Sequence, residues 1–383
     1  MAVRAPTVRL RKDLARSLRQ GHPWLYRDAL LDPPELADGA LVAVHTKDGR
    51  PLVWGYWDTK SPIAVRVLEG VRIEDVRQLV RDRLDRALAR RLERLDLART
   101  NTFRWVHGEG DRLPGIHVDL YADVATVRYD GDGARAFFAD LGPQLLAAGE
   151  RAGVRQVVER DRRGDVAERE VRENGIRFVV DLARGQKGGL FLDQRENRAE
   201  VGRRARGKTV LNLFGYTGGF SLYAAAGGAT RTDTVDQAAP ALATARRNFD
   251  LNGFDRSTAH FHPTDAFAFL EEARRKKRTW DIVISDPPSF APSKKALPAA
   301  RSAYRRLHAM ASAVVTPGGL FCPASCSSHF DRQEFLASVK EGVARTGRRW
   351  KMESLQGAGF DHPVLPIFPE GDYLKFALGA IES

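Results

Sequence analysis

Lys208–Ala226 reads KTVLNLFGYTGGFSLYAAA and changes character twice along its length. Val210, Leu211, Leu213 and Phe214 form a short apolar run, the composition of a strand buried on both faces. Gly215, Gly218 and Gly219 break the run, with Tyr216 and Thr217 among them, and Phe220–Ala226 resumes with helix-forming residues. Strand, glycine turn and helix N-terminus in succession is how α/β folds bring backbone N–H groups against a ligand. Asp236 lies at the end of the weaker run Arg231–Val235. It follows Gly215 by about 20 residues, the spacing at which a carboxylate grips a ribose hydroxyl pair. The glycines do not follow G-x-G-x-x-G and glycine turns are common, so a nucleoside-cofactor site and an ordinary turn both stay open.

Outward from this stretch, strand candidates Val210–Phe214, Arg231–Val235, Ala259–His262, Asp281–Ser285 and Leu320–Pro323 alternate with helices. The helices are expected over Gly219–Ala226, Pro240–Asn252, Ala266–Arg275, Ala299–Val315 and Gln333–Arg345. Such alternation predicts an α/β fold with a doubly wound parallel sheet. Phe360–Ala380 reads as a pair of strands around Pro366–Gly371 that closes the sheet's edge.

Upstream, residues 1–70 read as a small, mostly β module with strands at Val3–Leu10, Leu41–His45, Leu52–Tyr56 and Ile63–Leu68. Lys12–Arg19 reads as a short basic helix whose arginines either meet phosphate or form a solvated face. A connecting helix over Ile73–Ala98 follows, with Val76, Val80, Leu84, Leu88, Leu92 and Leu95 on one face and arginines filling much of the rest. Its arginine content suits solubility, with RNA contact as the minor alternative. Phe103–Leu182 reads as an α/β module with strands at Gly115–Leu120, Asp123–Tyr129, Val154–Glu159 and Ile176–Asp181 and a helix over Ala134–Ala148. Gly110–Gly115 is a turn cluster without chemistry of its own. The expected division is therefore 1–70, 71–184 and 185–383.

A chain of 383 residues, 43% of them hydrophobic, suits two or three domains with real cores. Lys and Arg total 61 against 49 Asp and Glu, a net charge of +12 that favours a polyanionic partner, nucleic acid before membrane. No run approaches the ~18 apolar residues of a membrane span, and no N-terminal apolar core with a cleavage site is present. Only Cys322 and Cys326 are present. In an extended segment they stand roughly 13 Å apart at ~3.3 Å per residue, too far for a disulfide, whose alpha carbons lie within ~7 Å. So few cysteines suit a reducing cytosol, and the protein is expected to be soluble and cytoplasmic. The histidines lack ligand spacing with acids or cysteines, so no metal is expected.

In a doubly wound sheet, ligands gather at the carboxyl ends of the strands. The Gly215 turn, Asp236, Asp265 and Asp286-Pro287-Pro288-Ser289-Phe290 all fall there, and Cys326 follows the fifth strand. Asp265 either accepts a hydrogen bond from an adenine amine, with Ala266 and Phe267 against the ring, or caps the next helix; the two are compatible. Two prolines directly after Ile282–Ile284 end a buried strand abruptly and hold the acid Asp286 at its tip.

Asp-Pro-Pro plus an aromatic, with the glycine turn and Asp236, resembles the class I S-adenosylmethionine-dependent methyltransferases. More closely, the chain resembles the bacterial 23S rRNA 5-methylcytosine methyltransferases. The matching residues are Gly185-Gln186-Lys187, Phe191–Arg198, Leu213–Phe220, Asn248 with Leu251-Asn252-Gly253, Asp286–Lys294, Ser325-Cys326-Ser327, Phe360-Asp361-His362-Pro363 and Tyr373-Leu374-Lys375. They run in family order across the last domain. The resemblance implies a Rossmann-like methyltransferase domain, a PUA-like RNA-binding β-barrel in the first seventy residues, and an α/β connecting domain between them. It implies S-adenosylmethionine as cofactor, 23S rRNA as partner, and a homodimer. Its cofactor residues here would be Phe214, Gly215, Tyr216, Thr217, Gly218, Asp236, Asp265, Ala266 and Asp286. Gln194 and Arg195 would join them, although an arginine there could instead meet RNA phosphate. Departures are Gly188 where threonine is common, the absence of a serine shortly after Asp236, and Arg112 where glycine is usual; they bear on the RNA target.

Carbon 5 of cytosine is a poor nucleophile, so a nucleophile must first add at carbon 6. A thiolate suits this, being reactive near neutral pH and a competent leaving group. Cys326 in its Ser-Cys-Ser setting is the expected nucleophile, against the plainer alternative of a small buried residue. Cys322 lies within the strand as packing. Asp286 would hold the base through its ring nitrogen and exocyclic amine. Asp286, a water or His329 would remove the carbon-5 proton. One rival keeps the fold and methylates a guanine nitrogen, which needs no cysteine. A second is a non-catalytic RNA-binding factor, and a third a small-molecule methyltransferase, which would leave the N-terminal module and the charge unexplained.

Overall fold

The structure is a computed structural model that describes residues 5–160, 166, 168–183, 185, 189–291 and 293–382. Gln186, Lys187, Gly188 and Pro292, from the motifs above, lie outside the described residues, as do Val3 and Arg4 of the first expected strand. The chain forms two compact units, one of residues up to 166 with Phe360–Gly371, the other of residues 167–359 with Asp372 onward.

The first unit opens with β1 (Thr7–Leu10), α1 (Ala15–Arg19), β2 (Trp24–Tyr26), β3 (Leu30–Leu31), β4 (Leu41–His45), β5 (Pro51–Trp57) and β6 (Ile63–Glu69). These strands make a nearly closed, barrel-like sheet in the order β2-β6-β5-β4-β1-β3. Val8, Leu10, Leu25, Val42, Val44 and Val65 fill its core. Next come α2 (Val76–Leu92), β7 (Thr102–His107), β8 (Ile116–Tyr121), β9 (Val124–Tyr129), α3 (Asp132–Phe137), α4 (Leu141–Gly149) and β10 (Gln156–Glu159). The second sheet runs β10-β9-β8-β7. The single helix expected over Ala134–Ala148 is two helices, and Pro143 stands in the first turn of α4, where its missing N–H is tolerated.

Not all the arginines of α2 are solvated. Arg91 is 1% exposed, and its guanidinium donates to both carboxylate oxygens of Asp111 at 2.7 Å and to the Asp361 carbonyl at 2.6 Å. Asp111 thus gives the Gly110–Gly115 turn a structural task. Arg112 takes the left-handed conformation at φ 60°, where a side chain is ordinarily disfavoured. It donates from Nη1 to the Gly21 carbonyl at 2.9 Å.

The second unit starts with the hairpin β11 (Arg169–Glu173) and β12 (Ile176–Val180), turned by Asn174 and Gly175, both at positive φ. There follow α5 (Arg195–Arg204), β13 (Thr209–Leu213), α6 (Gly219–Ala226), β14 (Arg231–Asp236), α7 (Ala239–Leu251), β15 (Ala259–Pro263) and α8 (Ala266–Arg275). The chain continues through β16 (Trp280–Ser285), α9 (Leu297–Ala313), β17 (Val315–Ser325), α10 (Arg332–Ala344), β18 (Arg349–Gln356) and β19 (Lys375–Glu382). The seven-stranded sheet has the order β15-β14-β13-β16-β17-β19-β18. β13 through β17 are parallel to their neighbours, and β19 joins β17 and β18 antiparallel. This is the doubly wound α/β fold expected from the alternation. The strand order reverses between β13 and β16, which puts the ligand crevice of such a sheet at the ends of those two strands.

The expected strand pair over Phe360–Ala380 is replaced by a different arrangement. Only Lys375–Glu382 is a strand, and its antiparallel neighbours are β17 and β18. Pro363, Pro366 and Pro369 remove three ladder donors from the preceding stretch, so it cannot pair along its length. It lies instead as a strap within the first unit: Asp361 Oδ2 accepts from the Arg104 backbone N–H at 2.9 Å, and the Phe368 ring meets Trp24 edge-on at 4.5 Å. The Pro363 carbonyl passes so close to Gly110 that a Cβ there would stand 1.9 Å from its oxygen.

Candidate active site

The loop after β13 is wound tightly. Phe214, Tyr216 and Gly218 have φ of 57°, 48° and 83°, and two bulky residues in the left-handed region are strain of the sort that persists where surrounding bonds over-determine it. Those bonds are present. Gly215 N–H donates to the Val235 carbonyl at 2.9 Å, Tyr216 N–H to Asp236 Oδ2 at 2.9 Å, and Gly218 N–H to the Gly215 carbonyl at 2.8 Å. The Thr217 hydroxyl donates to the Gly189 carbonyl at 3.0 Å, and Asn248 Nδ2 to the Thr217 carbonyl at 3.1 Å. A Cβ on Gly215 would lie 2.4 Å from Thr234 Cγ2, so the Thr234 side chain of β14 packs on this loop at a distance only glycine allows.

Asp236 ends β14, half-buried, with Oδ1 accepting the Ala238 N–H at 2.8 Å. Asp265 follows β15, and its Oδ1 caps α8 by accepting from the Ala268 N–H at 3.0 Å while Oδ2 accepts from Gln237 Nε2 at 2.6 Å. Ala266 is buried and Phe267 half-buried beside it.

Asp286 directly follows Ser285, which pairs in register with Leu213 on one side and Pro323 on the other. Its Oδ2 accepts from Gln194 Nε2 at 2.9 Å, and Gln194 Oε1 accepts from Asn197 Nδ2 at 2.6 Å. Asn197 also donates to the Gly357 carbonyl at 3.3 Å. Arg195 is buried and paired with Glu196 at 2.9 Å. The turn carrying these residues is fixed by Arg198, which donates to the Phe191 carbonyl at 2.9 Å and makes a buried, bidentate ion pair with Glu173 at 2.9 and 2.7 Å.

Cys326 follows β17, partly exposed, whereas Cys322 is fully buried and its thiol pKa is pushed up by burial. The residues around Cys326 tie its turn to the Asp286 loop. The hydroxyls of Ser289 and Ser327 are hydrogen-bonded at 2.8 Å, and the Tyr304 hydroxyl meets those of Ser325 and Ser327 at 2.9 and 3.0 Å. Phe290 packs on the Tyr304 ring at 4.8 Å between centroids. Lys375 Nζ donates to the Ser327 carbonyl at 2.7 Å and to that of Tyr373 at 2.9 Å. His329 is exposed.

The fold thus brings the Gly215 turn, Asp236, Asp265, Asp286 and Cys326 to the same ends of five adjacent parallel strands. Asn197, Tyr304, Ser289 and Ser327 carry no chemistry in the sequence that singles them out. Their contacts cross between distant segments, and only the motif context of Asn197, Ser289 and Ser327 hinted at them. Among the described residues no group of three or more His, Cys, Asp and Glu side chains could hold a metal ion. No helix there is long and apolar enough to cross a membrane.

The residues suit a nucleoside ligand. Each oxygen of Asp236 is shown accepting one backbone N–H, and a carboxylate oxygen has a second lone pair to offer a ribose hydroxyl. Residues 153–337 match the model of the S-adenosylmethionine-dependent methyltransferase family, and residues 8–69 that of a PUA-like domain. The ribosomal RNA large subunit methyltransferase I of Shewanella denitrificans is 33% identical over 401 residues, covering 98% of both chains. A ribosomal RNA large subunit methyltransferase of Deinococcus radiodurans is 35% identical over 402 residues, covering 97% of each. Among solved structures, one assigned as a SAM-dependent methyltransferase from Streptococcus mutans superposes with a TM-score of 0.81 at 24% identity, over 98% of this chain and all of that one. Another, of a methyltransferase complexed with SAH, has a TM-score of 0.82 at 24% identity, over 99% of this chain and 100% of that one. S-adenosylmethionine is the cofactor of this family, and the chain belongs to the ribosomal RNA large subunit methyltransferases that carry a PUA-like domain.

Proposed function

We propose that the protein methylates carbon 5 of a cytosine in 23S rRNA through a covalent adduct with Cys326. The observation that carries this reading is the Ser289–Ser327 hydrogen bond, which joins the loop of Asp286 to the turn of Cys326 at the ends of neighbouring strands. A partly exposed thiol held beside the base-binding carboxylate is what carbon-5 chemistry requires, and methylation of an amine nitrogen has no use for it.

Bound S-adenosylmethionine supplies an electrophilic methyl group. Asp236 holds the ribose hydroxyls, Asp265 and Ala266 the adenine, and Phe214–Gly218 the remaining backbone contacts. Gln194 steadies Asp286 on one oxygen, and the carboxylate grips the cytosine ring nitrogen and amine. The Cys326 thiolate adds to carbon 6, and the electron pair displaced toward the ring nitrogen is met by a proton relayed through Asp286. Carbon 5, now nucleophilic, takes the methyl group. Loss of the carbon-5 proton to a base then expels the thiolate and restores the ring.

A paired cytosine must be flipped out, at a cost of a few kcal/mol that phosphate contacts offset. The first unit offers a groove of about 680 Å³ lined by Arg19, Arg83, Arg86, Arg90 and Arg112. Its two lining carboxylates are both engaged, Glu69 by Arg83 and Asp111 by Arg91. This surface supports rRNA as the substrate.

The test is nucleoside mass spectrometry on 23S rRNA transcript incubated with labelled S-adenosylmethionine, wild type beside Cys326→Ala. Labelled 5-methylcytidine that disappears in the variant supports the reading. Label in a methylguanosine, indifferent to the substitution, refutes it.

A further inference from the structure

Lys375 is 1% exposed, a cation in the interior of the second unit. Its two hydrogen-bond acceptors are neutral carbonyls, those of Ser327 and Tyr373, and among the described residues no carboxylate lies within ion-pair distance of Nζ. An ammonium buried on such terms is costly unless an anion shares its surroundings. The nearby acids are already occupied. Asp372 is held by Arg332 at 2.7 and 3.0 Å, and Asp331 caps α10 by accepting from the Glu334 N–H at 2.8 Å. Beside these two acids, the thiol of Cys326 also acts electrostatically on Lys375.

Lys375 brackets that thiol. In the β17–β19 ladder it stands directly opposite Ser325, the residue before Cys326, and its ammonium binds the carbonyl of Ser327, the residue after. The Tyr304 hydroxyl clamps the same two serines from α9. We propose that Lys375 is a positioning residue, which fixes the Ser325-Cys326-Ser327 turn and holds Cys326 as the thiolate. The proposal deepens the carbon-5 reading and rests on it for its catalytic meaning. Two of the three ammonium N–H groups are spent on carbonyls, which leaves the third for an anion at the turn. The groups facing this pair are Asp372, Arg332 and Asp331 around Lys375, and Tyr304 beside Cys326. Burial lowers the Lys375 pKa to about 8, opposed by Asp372 and Cys326, so the side chain is still mostly cationic at pH 7. Tyr304 is neutral there, its pKa raised by burial.

The test is the pH dependence of Cys326 alkylation by iodoacetamide in the full chain, resolved by peptide mass spectrometry, with buried Cys322 as the internal control. Lys375→Gln keeps an N–H donor for the carbonyls and loses the charge. Its alkylation midpoint is expected to move up by about one pH unit, a tenfold slower reaction at neutral pH, while Lys375→Arg keeps the wild-type midpoint. An unchanged midpoint in folded Lys375→Gln overturns the proposal. Should that variant not fold, the reciprocal measurement is made on the native lysine, by NMR of its side chain in wild type and in Cys326→Ser. The lysine midpoint is expected to fall when the thiolate is removed, and no change overturns the proposal. Because alkylation needs no turnover, the coupling can be seen even if Cys326→Ala retains methylation, a result that would sink the carbon-5 reading alone.

Discussion

Glu173→Ala tests what holds the cofactor-side turn in place. The Glu173 carboxylate is 0% exposed and takes two guanidinium bonds from Arg198, itself 3% exposed, together with the Tyr223 hydroxyl at 3.0 Å. Burial alone would lower the Arg198 pKa, but the Glu173 charge and hydrogen bonds leave it raised. Truncating Glu173 strands a guanidinium that cannot discharge, which costs about 3–5 kcal/mol in comparable buried pairs. That is more than a hundredfold in the folding equilibrium, and a large part of the ~5–15 kcal/mol that holds a domain together. Because Arg198 also binds the Phe191 carbonyl, three residues before Gln194, S-adenosylmethionine binding should weaken along with stability. The assay is urea denaturation with and without cofactor, for Glu173→Ala and for Glu173→Leu combined with Arg198→Met. The double variant, with no stranded charge, should recover most of the loss. A single variant that loses under 1 kcal/mol, or a double variant no better than the single, would refute the reasoning.

Gly215→Ala pushes a methyl into Thr234 Cγ2 and should cost about 1–3 kcal/mol with a matching loss in cofactor affinity by calorimetry, while rRNA affinity holds. Arg86→Glu combined with Arg90→Glu should weaken rRNA binding and flatten its salt dependence, yet leave cofactor affinity unchanged; an unaltered salt slope in filter binding would remove the groove from the substrate path. Burial opposes ionisation of Asp130, but the His117 hydrogen bond and nearby arginines bring its pKa down to about 2. A depressed carboxyl pKa contributes stability that is fully present above its unfolded value near 3.9 and is lost as pH falls from there toward 2. Asp130→Asn should therefore flatten that part of the acid-denaturation curve, by about 2 kcal/mol for the first unit.

Of the strands that end at the site, β13 and β16 were the most legible, each a buried apolar run stopped by a glycine turn or by an acid and two prolines, a pattern local to a few residues. Short or charged strands were not. Arg169–Glu173 and Arg349–Gln356 are rich in charged residues because they lie at sheet edges, and their pairing comes from β12 and β19 rather than from their own composition. Arg83 and Arg91 look like any other arginine of their helix. What buries them is a carbonyl or carboxylate supplied by Leu68, Glu69, Arg112 or Asp111, which no periodicity encodes. At the site, Asp236, Asp286 and Cys326 could be picked out by position at strand ends. The Asn197–Gln194–Asp286 relay and the Ser289–Ser327 bond depend on segments separated by long stretches of chain.

The strap Phe360–Gly371 imposes an order on synthesis. The Arg104 N–H and the Arg91 guanidinium both donate to Asp361, and the Trp24 ring packs against Phe368. A ribosome making ~5–20 residues per second delivers that strap roughly 10–40 s after residue 166. During that interval the nascent first unit carries an open seam over Gly110, with polar groups that water or a chaperone must satisfy. The amino-terminal unit is therefore completed only by residues from near the end of the chain, so a ribosome stalled in the methyltransferase segment would leave it unsealed.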